Sequence, residues 1–179
     1  MSRHTPLLAL AVAAVALGLA GCKSAPLDRP IPMGPIKSGP GSLQEARVYL
    51  QGRWSLVSFE VYPPGKAPII LKGNGTMTFD DFGNLKMEIR TDQATADLLD
   101  AAGIAMKGDT ISSEGRVVID MQGHKLTYVM EGQPPAGQEE GPLALTRPRY
   151  WEADGDLLTL STRDDNGRSL SVGTWRKQR

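Results

Sequence analysis

The chain has little with which to build a disulfide-stapled or metal-centred protein. Among its 179 residues there is one cysteine, Cys22, and there are two histidines, His4 and His124. A single thiol forms no internal disulfide, so a fold that works outside the cytoplasm is held by its core alone. Two histidines, one in the first residues and one in a turn-like stretch, supply neither a metal pair nor a convincing Ser-His-Asp set. Charge is absent on balance, with 20 Lys+Arg against 20 Asp+Glu. That leaves no basic field for nucleic acid and no acidic tail. The longest apolar run, Leu7 to Leu19, is too short to span a bilayer as a helix.

That run has another use. Arg3 and His4 give it a short basic start, and Leu19-Ala20-Gly21-Cys22 follow it. This is the layout of a secretory signal of residues 1–21. The four-residue ending resembles the lipobox of bacterial lipoproteins. The resemblance implies a diacylglyceryl group on the Cys22 sulfur, cleavage before Cys22, and an N-acyl chain on the freed amine. Small residues before the cysteine let the peptidase approach the backbone. The sole cysteine sits at the one position where lipidation needs it. Two or more acyl chains, at ~0.8 kcal/mol per buried CH₂, anchor stably. Lys23 in place of an aspartate implies, by the same resemblance, an outer-membrane destination facing the periplasm.

Residues 22–41 carry the lipidated cysteine and a tether. Pro26, Pro30, Pro32, Pro35 and Pro40 exclude helix and inner strand. Fully extended at ~3.1 Å per residue, such a tether reaches roughly 60 Å. With Arg3 gone, the mature chain is one negative charge from neutral.

The folded domain is expected over residues 42–179. Ser42-Leu43-Gln44-Glu45 matches a capping box, and Leu43, Ala46 and Leu50 share one helical face ahead of Gly52. Strands and turns follow. Residues 53–62 form a first strand and 67–72 a weak second. Hairpins are expected around Asp80–Asn84, Gln122–His124, Asp154–Asp156 and Asp164–Gly167, where Asp, Asn and Gly supply the positive φ of tight turns. One helix, residues 92–102, interrupts them, with Leu98, Leu99 and Ala102 pressing on the strands. The pattern predicts a mainly β protein: a single antiparallel up-and-down β-barrel of about eight to ten strands, with a short N-terminal helix and one inserted helix.

Alternation assigns the interior. Met77, Phe79, Met87 and Ile89 alternate with polar residues, as do Ile119, Met121, Tyr128 and Met130, and Leu170 and Val172. These ten are the candidate ligand-lining positions.

Leu50-Gln51-Gly52-Arg53-Trp54 resembles the opening of lipocalin-like domains, a Gly-x-Trp strand preceded by a short helix. In that family an arginine on the last strand packs over the tryptophan and closes the barrel. Thr174-Trp175-Arg176 ends the last strand here, and Arg176 shares the parity of Leu170, Val172 and Thr174. The resemblance therefore assigns barrel closure to Gly52, Trp54 and Arg176. The chain departs from the family in lacking a Thr-Asp-Tyr turn and a disulfide, and in carrying its helix mid-chain.

Two functions follow from this reading. The barrel binds a lipid or small apolar ligand, for which adaptable methionines suit the interior. Alternatively it is solid and acts as an interaction lipoprotein on a periplasmic protein, a hydrolase inhibitor or assembly factor, through the 132–148 loop. An enzyme is not expected. Glu60 shares the parity of Trp54, but a strand end reaching water accounts for it. Asp80-Asp81 and Asp164-Asp165 fit turn chemistry rather than calcium. No cofactor or metal is expected beyond the acyl groups on Cys22. Cys22→Ser is expected to leave a soluble or uncleaved precursor; mature protein still fractionating with the membrane would disprove the anchor.

Overall fold

The computed structural model describes residues 41–72, 74–134, 139 and 141–179. The expected signal, Cys22 and the tether to residue 40 lie outside the described residues.

Helix α1 spans Leu43–Leu50. The Ser42 hydroxyl accepts from the Glu45 N–H at 3.1 Å, and the Glu45 carboxylate turns back to the Gly41 N–H. This is a capping box displaced by one residue on its return arm. Ala46 and Leu50 are the buried face.

Nine strands follow: β1 Gly52–Val61, β2 Ile69–Lys72, β3 Gly75–Phe79, β4 Asn84–Arg90, β5 Thr110–Asp120, β6 Lys125–Tyr128, β7 Arg149–Asp154, β8 Leu157–Arg163 and β9 Ser169–Lys177. Every pairing is antiparallel, and β9 returns to β1. Eight strands, β1 and β3 to β9, thus close a barrel. Strand β2 is an addition. It pairs with Ser58–Val61 of β1, while β3 takes Gly52–Ser55 of the same strand. The predicted hairpins stand where the turn residues placed them.

Helix α2, Gln93–Asp100, connects β4 to β5 and is capped by Asp92, whose carboxylate accepts from the Thr95 N–H at 2.9 Å. Leu99 is fully buried, but Leu98 points to solvent and is 59 % exposed. Adjacent helical residues lie about 100° apart, so only one of the pair can face the sheet.

Two strand features were not read from the pattern. Strand β5 begins as early as Thr110, because the polar stretch Ser112–Gly115 pairs with Leu85–Glu88 of β4. Gly115 belongs there: a Cβ at that position would lie 2.9 Å from the Tyr128 ring. Strand β1 carries a bulge between Leu56 and Ser58. The extra residue reverses parity, so Trp54 and Leu56 point inward and so do Phe59 and Val61. Glu60 is thereby turned outward, where its carboxylate accepts from the Tyr62 hydroxyl.

The interior is filled by large side chains. Trp54, Trp175, Met77, Ile89, Leu126 and Leu158 are each under 2 % exposed. Trp54→Ala is expected to cost about 3–5 kcal/mol through lost burial and an unfilled hole. Chemical denaturation checks it, and an unchanged midpoint would remove Trp54 from the core.

Candidate functional site

The barrel end beneath α1 is closed by Trp54, as expected, but not by Arg176. Trp54 is fully buried, and its indole N–H donates to the Leu50 carbonyl at 2.8 Å. The Lys177 ammonium lies 5.3 Å from its ring centre and 5.5 Å from that of Tyr49. It also donates to the Tyr49 and Val48 carbonyls at the C-terminal end of α1, where a cation is favoured. Burial pulls the pKa of Lys177 below its ordinary value. Arg176 points outward and faces Asp156 at 3.6 Å, with 58 % of its side chain exposed.

The reason is the parity of β9. Ser171, Gly173 and Trp175 face inward, so Leu170, Val172, Thr174 and Arg176 form the outer row. Alternation alone favoured the apolar Leu170 and Val172. Trp175 decides it, because its indole outweighs both in buried apolar area, and it packs opposite Leu56 and Leu158. Gly173 makes the room: a Cβ there would meet the Trp175 Nε1 at 2.9 Å. Leu170 and Val172 are therefore withdrawn as ligand-lining positions.

The other lining candidates do face the interior. Met77, Phe79, Met87, Ile89 and Tyr128 are buried, while Ile119, Met121 and Met130 are half-buried against the same core. They do not surround a large cavity. Only Met87 and Tyr128 among them border the interior space, which is about 20 Å³, room for about one water, while Phe79 and Ile119 border a groove on the outside. Binding pockets for ligands run to roughly 300–1,000 Å³.

That small space has a distinct lining. Ser113, Tyr128, Arg149, Thr162 and Ser171 meet there, beside Phe59, Leu85 and Met87. Arg149 is 4 % exposed. Its guanidinium donates from Nη1 to the Ala144 and Arg147 carbonyls at 3.0 and 2.9 Å, and from Nη2 to the Leu143 carbonyl at 2.7 Å. It also lies over the Tyr128 ring, 5.5 Å from its centre. The Tyr128 hydroxyl pairs with the Ser113 hydroxyl at 3.1 Å, and the Thr162 and Ser171 hydroxyls pair at 2.7 Å. Among the described residues no carboxylate lies within ion-pair distance of Arg149. Burial lowers its pKa, and the neighbouring Arg147 adds to that. Two residues along the same face of β7, the buried Trp151 Nε1 has no hydrogen-bond partner, and His124 stacks on its ring at 4.8 Å.

Segment 141–148 closes this end. Ala144 and Leu145 are buried and Leu143 borders the interior space. Arg149 holds the segment by its carbonyls, and Arg147, within it, donates to the Gly141 carbonyl at 3.2 Å and to the Arg163 carbonyl of β8 at 3.3 Å.

Outside the barrel, Leu43, Phe82, Val118 and Val129 are exposed along a groove of about 750 Å³ that Arg47 and Arg116 also border. The turn aspartates are occupied locally. Asp80 accepts from the Asn84 and Phe82 N–H groups, and Asp164 from those of Arg168 and Asn166. These bonds, led by Asn84 and Arg168 respectively, hold both carboxyls below their usual range. No cluster of three or more metal-ligating side chains occurs among the described residues, nor is any helix among them long and apolar enough to cross a membrane.

Sequence reasoning missed Lys177 and Arg149. Trp175 was the available signal for the first, since Lys177 shares its parity. Trp151 was the signal for the second, since a tryptophan two residues on marks the inner face of β7. Ser113, Thr162 and Ser171 carried no signal, because a polar strand residue reads as outward.

No protein-family model matches the chain, and no curated protein matches it. Among solved structures it is similar to a redesigned β-barrel, with 15 % identity over 75 % of this chain and 96 % of that one and a TM-score of 0.37.

Lys177→Met removes a cation over two rings and two hydrogen bonds, and is expected to cost about 1–2 kcal/mol. Arg176→Ala should stay within about 0.5 kcal/mol, as an exposed ion pair. Equilibrium denaturation distinguishes them, and the reverse order would restore Arg176 to the closing role.

Proposed function

We propose that this is a lipid-anchored protein of the bacterial cell envelope, held by acyl chains on Cys22, whose lipocalin-like barrel is a ligand compartment closed by segment 141–148. The observation that carries the reading is the polar cluster inside. Burying a cation without a counter-charge is costly, and a barrel that served only as a scaffold would be filled more stably by apolar side chains. Here a guanidinium and four hydroxyls border one small space, next to Phe59, Leu85 and Met87. The role is one of binding, with no chemical step. The ligand is a lipid or another small amphipathic molecule, and the outer-membrane position expected from Lys23 would put the barrel in the periplasm.

A second reading keeps the barrel solid and gives the work to its surface as an interaction lipoprotein. It draws on the interior space of about 20 Å³ and on the exposed Leu43, Phe82, Val118 and Val129.

Native mass spectrometry of the chain carrying Cys22→Ser, isolated from the cell envelope, separates the two. The substitution removes covalent lipid, so any added mass is a non-covalent ligand. A bound mass in the lipid range that disappears on delipidation supports the compartment. A clean mass, before and after incubation with a lipid extract, supports the solid barrel.

A further inference from the structure

We infer that the outer groove between α1 and the β3–β4 turn is a self-association surface, and that its occupant is the same groove on a second copy of this chain. The groove lies outside the barrel, so this pairing does not depend on what the interior holds.

Phe82 stands on the β3–β4 turn with 79 % of its surface exposed. The turn does not require a phenylalanine there. The Asp80 carboxylate accepts from the Phe82 and Asn84 N–H groups at 2.9 and 2.8 Å, and Gly83 takes the positive φ of 85°. Position 82 thus gives the turn only its N–H, which any residue but proline carries. A ring left in water forgoes the burial that is its main contribution to a fold.

Its neighbours form the matching recess. Leu43 and Arg47 lie one turn apart on α1. Val118 faces outward from β5, and Val129 follows β6, with its N–H donating to the Arg116 carbonyl at 2.8 Å. Leu43, Val118 and Val129 are exposed, and with Phe82 they border the groove of about 750 Å³. An apolar patch rimmed by polar groups marks a contact surface. The recess is also held in shape. The Gln51 side-chain amide donates to the Asp81 carboxylate and ties the turn to the end of α1, so little remains to be ordered on binding.

Charge selects the occupant. Two arginines, Arg47 and Arg116, border the groove, and so do two aspartates, Asp80 and Asp81. All four are exposed. A patch of one sign fits a partner of the other sign. This patch carries both signs in equal number, beside an apolar knob and an apolar recess. The surface that matches such a patch is its own copy turned about a two-fold axis. Each Phe82 then enters the recess of the other copy, and Asp81 of each copy faces Arg116 of the other. An anionic membrane fits less well, because the two aspartates directly precede the ring that would enter it. Fourteen residues line the groove, against the roughly 20–30 per side of a stable interface, so the dimer is weak and concentration-dependent.

Sedimentation equilibrium on the full chain carrying Cys22→Ser, over about a hundred-fold range of concentration, reads the balance of monomer and dimer. A reversible dimer is expected. Phe82→Ser is expected to raise its Kd at least about 10-fold, as loss of an aromatic anchor does, with an unchanged circular dichroism spectrum. Association through any other part of the chain is blind to position 82. Arg116→Glu and Asp81→Lys are each expected to abolish the dimer, because each sets like charges across the axis twice. Mixed together they are expected to restore it, since both contacts are then opposite in sign. A chain that is monomeric at every concentration would overturn the pairing and leave the groove to another occupant. A dimer indifferent to Phe82→Ser would take the interface off this groove. Charge variants that dimerise alone, or stay monomeric when mixed, would overturn the two-fold arrangement. The comparison of Phe82 with Phe82→Ser stands even if a charge variant fails to fold.

Discussion

A sheet of eight strands has two edges, and this one loses both where Trp54 of β1 meets Lys177 of β9. The pairing brings the indole beneath the ammonium, and the same ammonium reaches the last carbonyls of α1. The consecutive α1 and β1 and the distant β9 are thus fastened at one point. The first strand, the last strand and the helix that covers the barrel end cannot be placed independently. Tyr49 extends the fastening, since its ring leans on Trp54 at 5.6 Å and its hydroxyl donates to the Leu157 carbonyl of β8. Closure of this kind satisfies edge hydrogen bonds. It also fixes the register of β1 and β9, and hence which side chains every other strand must pack against.

The two ends of the barrel solve the same problem with opposite chemistry. Under α1 the plug is an aromatic pair with a cation at its rim, and the rim carries the charge to water. At the other end the cation is drawn inside and the backbone of segment 141–148 is bent to meet it. The first arrangement is stable in the ordinary way, through area and cation–π attraction. Among the described residues the second leaves a charge with only dipoles to answer it, which is a weaker settlement in a low-dielectric interior.

Much of the architecture was legible because turns announce themselves. Asp80–Asn84 and Asp164–Gly167 bend the chain by local hydrogen bonds that need no tertiary partner, so composition alone located them. Parity was legible only where alternation was unbroken, as from Met77 to Ile89. It failed on β1, where a bulge at Leu56/Ser58 reverses the faces and sends Glu60 outward. It failed on β9, where the apolar Leu170 and Val172 outnumber Trp175 but do not outweigh it. The closing cation was therefore sought one residue too early. The interior polar cluster was hidden for a different reason. Ser113, Thr162 and Ser171 are strand residues whose inward placement is set by pairing partners, and no local pattern distinguishes them from solvent-facing serines and threonines.

Strand β2 has a consequence for how the protein behaves among its own copies. The barrel has no open edge, yet β2 adds one, because β1 is its only strand partner among the described residues. An unpaired strand is a template for stacking one copy on the next. This strand is a poor template. It is four residues long, follows Pro68 and ends in Lys72, and α2 packs nearby. A concentrated population of such barrels would therefore stay discrete rather than grow into ribbons.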